Sequence, residues 1–178
     1  LRWALASATV DLSHSGRLPS LRVTVSSGEM LPADTRAAWQ RATGLEMTEC
    51  LGSTEMLHIF LSNAPGSVVY GTSGLAVPGY ELKLHDESGN PVADGEVGEL
   101  YVKGPSAADG YWNQREKSRA TFQGEWTRTG DKYTRDTSQR YTYCGRADDM
   151  FKVSGQAVWP TDVESVLMRH KAVLESGV

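Results

Sequence analysis

The sequence contains few residues of the kind that hold metal clusters or disulfide frameworks. Its 178 residues include two cysteines, Cys50 and Cys144, and four histidines. The cysteines lack metal-ligand spacing and no His-Glu-x-x-His pattern occurs, so a zinc site has little support. Sparse, unpaired cysteine is typical of a reducing compartment, and we expect a cytoplasmic protein.

Long apolar runs and an excess of basic residues are also missing. Lysine and arginine number 18 against 22 acidic residues, a net charge of -4 with no basic block. This charge disfavours a nucleic-acid or anionic-membrane partner. No stretch approaches membrane-spanning length, and the first residues show no signal-peptide pattern. The absence of an initiator methionine suggests a fragment of a longer protein. Hydrophobic residues at 39% and charged residues at 22% indicate a globular fold.

The first 64 residues show an α/β pattern. A helix is expected over residues 1–11, and a β-branched strand over 21–25 leads into a turn at Gly28. A second helix is expected to begin near Pro32 and to end at Gly44, followed by a strand around 45–48. In open α/β sheets, turns at the carboxyl ends of strands are where ligands bind.

Glycine and proline then punctuate shorter segments, which indicates a β subdomain over residues 65–145. Strands are expected at 80–85, 99–103 and 141–144, with a turn at 86–91 and a short helix over 116–122. Residues 146–178 begin another unit, in which Thr161 and Glu164 suggest a capping box and 172–178 suggest a strand. The predicted fold class is therefore α/β. It comprises the end of an open α/β subdomain, a β-barrel-like subdomain and the incomplete start of a small α+β C-terminal domain.

Gly52-Ser53-Thr54-Glu55 combines residue types that suit phosphate binding. Gly52 permits close approach of the backbone to a ligand, and the two hydroxyls donate hydrogen bonds to phosphate oxygens. Glu55 would repel phosphate directly, so its expected use is to hold Mg²⁺. The same residue types are also common in ordinary turns and helix caps. A Walker-type loop, which would bind phosphate differently, is absent from the sequence.

Asp131 and Arg146 are two further candidate ligand-binding side chains. Asp131 follows Gly130 and could accept both vicinal hydroxyls of a ribose, although an aspartate in a surface turn would share this pattern. Arg146 offers a planar fork for phosphate or ribose oxygens, although it could equally form a surface ion pair with the nearby aspartates.

Taken together, the motifs resemble those of the adenylate-forming superfamily of acyl-CoA synthetases, adenylation domains and luciferases. The match rests on their order and approximate spacing over nearly the whole chain. The motifs are Ser27-Gly28-Glu29-Met30-Leu31-Pro32, Gly52-Ser53-Thr54-Glu55, Gly98-Glu99-Leu100 through Gly110-Tyr111-Trp112, Thr129-Gly130-Asp131 and Gly145-Arg146-Ala147-Asp148-Asp149.

Within the superfamily, residues 55–60 and 115–129 look most like benzoate-CoA ligases and related aryl-CoA ligases. The resemblance implies an acid-thiol ligase that uses ATP, Mg²⁺ and coenzyme A. An aromatic carboxylate and ATP would give an acyl-adenylate and pyrophosphate, and the coenzyme A thiol would then displace AMP. A fatty acyl-CoA ligase, a carrier-loading adenylation domain and a non-catalytic nucleotide-binding module remain alternatives.

The resemblance also implies a role for each matching residue. Thr54 would bind the α-phosphate, Glu55 the Mg²⁺, and Asp131 the ribose with Tyr143 and Arg146. His58 would give a polar edge to the aromatic-acid slot, and Asp148 would be the hinge of the C-terminal domain. The adenine pocket would comprise Gly28, Glu29, Met30, Glu49, Cys50, Leu51, Gly52 and Ser53; the acid slot would also include Gly52 and Ile59, and the pantetheine tunnel Ser154 and Gly155.

The chain departs from the family pattern in ways that bear on activity. Leu51 stands where most of the superfamily has tyrosine, which fits the aryl subgroup. The family's glycine-rich phosphate loop and its catalytic lysine are both missing. We therefore expect the fragment alone to be inactive and to need the rest of the parent chain.

Overall fold

The computed structural model describes residues 21–28, 31–153, 156–170, 172–173 and 176–178. The helix expected over residues 1–11 lies outside these described residues. Among the described helices, none combines the length and apolar character needed to cross a membrane.

A β-α-β crossover opens the described chain, as the sequence predicts. Strand β1 (Thr24–Ser26) is followed by helix α1 (Ala33–Thr43) and strand β2 (Met47–Gly52), and the two strands pair in parallel. Helix α1 begins after Pro32 and ends at Gly44, whose amide donates to the Gln40 carbonyl oxygen at 2.8 Å. The parallel pairing requires the crossover, because a tight hairpin can join only antiparallel strands.

Two antiparallel strands complete this first sheet. Strand β3 (Ile59–Ser62) pairs with β2, and β4 (Leu75–Ala76) pairs with β3, which gives the order β1-β2-β3-β4. The segment between β2 and β3 is therefore a short connection at one end of the sheet, and it contains Thr54 and Glu55.

A second, antiparallel sheet comprises the strands between residues 81 and 146. Its strands are β5 (Glu81–His85), β6 (Gly98–Lys103), β7 (Phe122–Gln123), β8 (Trp126–Arg135) and β9 (Tyr141–Arg146), with a short helix α2 (Arg115–Thr121) before β7. Strand β6 lies between β5 and β8, and β9 pairs with β8. The strand predicted over 80–85 from its alternation of apolar and polar residues and the strand predicted over 99–103 are both observed, as β5 and β6.

One hydrophobic core joins the two sheets. Its buried members come from both sheets and their connections: Met56, Phe60, Leu61, Leu84, Leu100, Val102, Tyr133 and Tyr141. Met56 has no exposed surface, although it lies in the connection next to Glu55. Burial of a side chain of this size stabilises by about 1.5–3 kcal/mol. The connection that contains the candidate phosphate ligands is therefore fixed by the core.

The last described segment differs from two expectations. After the ribbon of β10 (Phe151–Val153) and β11 (Gln156–Val158), helix α3 (Pro160–Leu167) begins before Thr161. The predicted capping box is wrong, because the proline occupies the first helical turn and places the N-cap at Trp159, without a side-chain cap.

The strand expected over 172–178 is also not observed among the described residues there. The end of the chain instead contacts helix α3. The Val178 amide donates to Glu164 Oε1 at 3.1 Å, and the Ser176 hydroxyl donates to the Glu164 carbonyl oxygen at 3.4 Å.

Candidate functional site

The connection between β2 and β3 presents polar groups at the end of the first sheet. Ser53 Oγ accepts a hydrogen bond from the Met56 amide at 3.3 Å, while Thr54 is exposed. The serine hydroxyl therefore helps to close the turn, as ordinary turn serines do. The threonine hydroxyl is accessible to a ligand.

Gly52 lies where the backbone of β2 comes very close to the backbone of His58. A Cβ at this position would lie 2.6 Å from the His58 carbonyl oxygen, where the pairing of β2 with β3 shifts register. The sequence predicts that Gly52 lets a ligand come close to the backbone. In the structure, the backbone of His58 is itself this close to Gly52.

We expect Gly52→Ala to destabilise the folded protein by about 1–3 kcal/mol, because the added methyl group forces the His58 backbone to move. Urea unfolding midpoints of the full-length protein measure this effect. Gly177→Ala is the matched control, because a Cβ there meets no atom within 4 Å. Equal midpoints for the two variants would contradict the prediction.

Glu55 is hydrogen-bonded across a long sequence separation. The Tyr111 hydroxyl donates to Glu55 Oε1 in a short hydrogen bond. Burial by itself would raise the pKa of Glu55, but the hydrogen bonds from Tyr111 and Ser53 and the positive charge of Lys117 together hold that pKa below its ordinary value. Glu55 is therefore a carboxylate at neutral pH.

Asp131 lies in a strand rather than in a surface turn, so the turn alternative is wrong. It belongs to β8, is 8% exposed, and is the register partner of Arg146 on β9. Arg146 Nη1 donates to Asp131 Oδ1 at 3.0 Å and lies 3.1 Å from the Thr129 carbonyl oxygen.

Gly130 provides the space for this pair. Its φ of +77° is in the left-handed region, and a Cβ there would lie 3.1 Å from Arg146 Nη2. The Gly-Asp sequence thus lets the guanidinium lie against the β8 backbone while it pairs with the aspartate.

The Asp131 carboxylate is desolvated more than its ion pair compensates. Burial raises the pKa of the Asp131 carboxyl, and the Arg146 charge and hydrogen bond only partly oppose this increase. A desolvated carboxylate whose partner does not fully compensate it is a typical feature of a binding site. On β9, burial likewise raises the pKa of Tyr143 to about 12, so this phenol is protonated at neutral pH.

The two candidate clusters lie close to each other. The Glu55 charge contributes to the raised pKa of Asp131, and the Arg146 charge acts on Tyr111. Glu55, Asp131 and Arg146, which are distant in sequence, are therefore within electrostatic reach of one another. The described fold supplies the proximity that a common ligand would need.

Gly28 of the first predicted adenine segment comes two residues after β1, and most of the second segment lies in the adjacent strand β2. Ser26, at the end of β1, is the register partner of Glu49, so β2 continues for three residues beyond the end of β1. Cys50 Sγ donates to the Ser26 carbonyl oxygen at 3.4 Å, which ties the strands together next to Gly28. Leu51 packs against the core, and Glu29 and Met30 lie outside the described residues.

His58 has hydrogen-bond partners on both ring nitrogens. Nδ1 lies 2.8 Å from the Ile59 carbonyl oxygen, and Nε2 lies 3.0 Å from the Tyr80 hydroxyl. The same hydroxyl lies 2.7 Å from Ser106 Oγ, which donates to the Met56 carbonyl oxygen at 2.6 Å. The resemblance implies that His58 gives a polar edge to the acid slot, and the structure adds that the ring is oriented by these two neighbours.

Asp148 lies in an exposed turn immediately after β9. The Asp149 amide donates to the Arg146 carbonyl oxygen at 3.3 Å, and the Ala147 amide donates to the Gly130 carbonyl oxygen at 2.8 Å. The predicted hinge therefore directly follows a residue that is held by the second sheet. The predicted tunnel residues Ser154 and Gly155 lie outside the described residues.

A group of three metal ligands is not found in the described part of the chain. Glu55 alone suits a metal that takes most of its ligands from a nucleotide, because Mg²⁺ in proteins is commonly held by one or two carboxylates and by substrate phosphates.

The sequence does not indicate the roles of three residues that hydrogen-bond the candidate site. Tyr111 was noted only as part of a motif, and Tyr80 and Ser106 only within wider segments. The Gly-Tyr-Trp motif was the available signal, but nothing local indicates that its phenol reaches Glu55. A cavity of about 580 Å³ bordered by Lys103, Asp109 and Thr127 contains none of the predicted site residues.

Comparison with known proteins shows consistent similarities. A family model described as AMP-binding enzyme matches residues 3–112. A 4-hydroxybenzoate-CoA/benzoate-CoA ligase of Rhodopseudomonas palustris is 54% identical over 167 residues, which cover 93% of this chain and 31% of that protein.

Solved structures show the same pattern. A benzoate CoA ligase from Burkholderia xenovorans matches with a TM-score of 0.80 and 56% identity, over 89% of this chain and 32% of that one. An anthranilate CoA ligase in complex with anthranoyl-AMP matches with a TM-score of 0.81 and 50% identity, over 87% and 30%. The chain thus spans about a third of the length of these relatives.

Proposed function

The chain belongs to the AMP-binding enzyme family, and from this premise we propose that it is part of an ATP-dependent aryl-CoA ligase. The full-length protein would join benzoate or a substituted benzoate to coenzyme A through an acyl-adenylate. The observation that carries the proposal is the proximity of Glu55, Asp131 and Arg146 in a chain more than half identical to ligases named for benzoate.

The nucleotide would lie across the ends of the two sheets. In the proposed arrangement, Asp131 accepts the ribose hydroxyls, with Arg146 and Tyr143 beside it. The exposed hydroxyl of Thr54 donates to the α-phosphate. Gly28, which follows β1, and the backbone of residues 49–53, in and directly after β2, would border the adenine. Glu29 and Met30 are assigned to the same pocket on the resemblance alone.

The residues present fit Mg²⁺ at Glu55. This side chain is ionised, and a carboxylate has more acceptor positions than its bond to Tyr111 occupies. When bound, the ion would neutralise phosphate charge that develops as pyrophosphate departs. The contribution of the chain is to keep one carboxylate charged and oriented next to the nucleotide.

The chemistry would proceed in two half-reactions. An oxygen of the aromatic carboxylate attacks the α-phosphorus of ATP, and the bond to pyrophosphate breaks. The coenzyme A thiol, after losing its proton, attacks the carbonyl carbon and AMP departs. Gly52, His58 and Ile59 would border the aromatic ring during both steps.

The proposal extends to the organisation of the parent protein. Residues 1–64 and 65–145 would be parts of its large domain, and residues 146–178 the hinge and start of its C-terminal domain. Asp148 would absorb the backbone change between half-reactions. Ser154 and Gly155 would then face the pantetheine arm. Cys50 and Cys144 are free, as expected for the reducing conditions of the proposed cytoplasmic location.

Substrate-dependent pyrophosphate exchange by the full-length protein tests this function. We expect exchange with benzoate or a substituted benzoate, and much weaker exchange with straight-chain fatty acids or amino acids. A reaction without a carboxylic acid is the control. Exchange with fatty acids alone would reassign the substrate, and exchange with none of the acids would contradict a ligase function.

A further inference from the structure

Residues 106–111 contact the connection that holds Glu55 at three points. The Ala108 amide donates to the Glu55 carbonyl oxygen at 2.8 Å, and Ser106 Oγ donates to the Met56 carbonyl oxygen at 2.6 Å. The Tyr111 hydroxyl donates to the Glu55 carboxylate. Two of these bonds fix the backbone around Glu55, and the third fixes its side chain.

Tyr111 is itself held by helix α2 and the residue that follows it. The Tyr111 amide donates to Ser118 Oγ at 2.8 Å, and the ring lies 5.4 Å from the Phe122 ring. Lys117 Nζ lies 4.4 Å from the centroid of the Tyr111 ring. The phenol therefore has a defined direction before any ligand binds.

The pair is also electrostatically suited to hold a carboxylate in its charged form. Burial and the hydrogen bond to Glu55 raise the pKa of Tyr111, so the phenol keeps its proton. A protonated phenol that donates to a carboxylate stabilises the charged carboxylate.

We propose that Tyr111 is a positioning residue that fixes the direction of the Glu55 carboxylate for the metal-nucleotide complex. This inference rests on the proposed function and adds a residue to it. Helix α2, which contains none of the predicted ligands, would act on the site only through this tyrosine and the Lys117 charge.

Tyr111→Phe in the full-length enzyme removes the hydroxyl and keeps the ring. We expect the affinity for Mn²⁺, measured by electron paramagnetic resonance with a non-hydrolysable ATP analogue, to fall about tenfold. The KM for the metal-ATP complex should rise, while the KM for benzoate should stay the same, because the phenol orients only the carboxylate proposed to hold the metal. Tyr101→Phe, which removes a phenol from within β6, is the matched control and should change neither the Mn²⁺ affinity nor the KM for metal-ATP.

Glu55→Gln distinguishes failure of this inference from failure of the proposed function. If Glu55→Gln weakens Mn²⁺ binding and Tyr111→Phe leaves both the Mn²⁺ affinity and the KM for metal-ATP unchanged, Tyr111 has no positioning role. If the wild-type enzyme shows no pyrophosphate exchange that depends on an added carboxylic acid, the proposed function itself is wrong. Thermal midpoints are measured for each variant. Ser118→Ala, which removes the acceptor of the Tyr111 amide, is used if Tyr111→Phe unfolds. This variant must then show the same two effects, weaker Mn²⁺ binding and a higher KM for metal-ATP, at smaller size. Without them the inference is wrong.

Discussion

Asp131→Ala is expected to reduce kcat/KM for ATP by roughly 10- to 100-fold in the full-length enzyme. The estimate follows from the loss of hydrogen bonds between a charged group and the ribose, worth roughly 1.5–3 kcal/mol. The substitution also leaves Arg146 without its carboxylate partner, 3.0 Å away in the wild-type protein. Steady-state kinetics with varied ATP and saturating benzoate measure the change.

Asp94→Ala is the matched control for this experiment. Asp94 also pairs with an arginine, Arg135, at 2.6 Å, but no predicted ligand-binding residue takes part in that pair. Loss of a partly exposed ion pair should therefore cost little and leave ATP use unchanged. An Asp131→Ala enzyme with the same ATP dependence as Asp94→Ala would remove Asp131 from the nucleotide site.

Asp148→Pro is expected to impair thioester formation far more than adenylation. Proline fixes φ at one value, whereas a hinge must adopt two backbone conformations. A proline at position 148 also restricts the backbone of the preceding residue, Ala147, because it disfavours the helical conformation there. Single-turnover assays that separate acyl-adenylate formation from its reaction with coenzyme A measure the two steps.

The control for the hinge is Asp148→Ala, which removes the same carboxylate and leaves φ free. We expect this variant to carry out both half-reactions. Equal losses of adenylation and thioester formation in Asp148→Pro would show that the substitution damages the nucleotide site, and would argue against a hinge.

Much of the fold was predictable because local chemistry determines it. Helix α1 has a proline before its start and a glycine after its end, and strand β5 alternates apolar and polar residues. These signals act over a few residues, so they are readable from the chain alone. The α/β class and the following β subdomain follow from such signals.

The site was only partly predictable because its contacts join distant residues. The sequence identified Glu55 and Asp131, but not that Tyr111 fixes the first or that β8 buries the second. His58 was identified as a site residue, yet its hydrogen bonds to Tyr80 and Ile59 depend on the packing of β3 and the loop before β5. Tertiary contacts of this kind have no local pattern.

The errors near the end of the chain have a similar origin. Thr161 and Glu164 have capping-box spacing, but Pro160 occupies the first helical position. The helix therefore begins before Thr161, and its N-cap is Trp159. Glu164 instead accepts a hydrogen bond from the Val178 amide. The neighbouring residues Pro160 and Val178 thus determine that Glu164 bonds the end of the described chain and does not cap the helix.

The central claim, that one nucleotide is bound by residues of both sheets, is tested most directly by a crystal structure of the full-length enzyme with ATP and benzoate or their acyl-adenylate. The account predicts Asp131 within hydrogen-bond distance of both ribose hydroxyls, and Thr54 next to the α-phosphate, in the same bound molecule. A nucleotide that contacts neither residue, or only one of the two sheets, would contradict it.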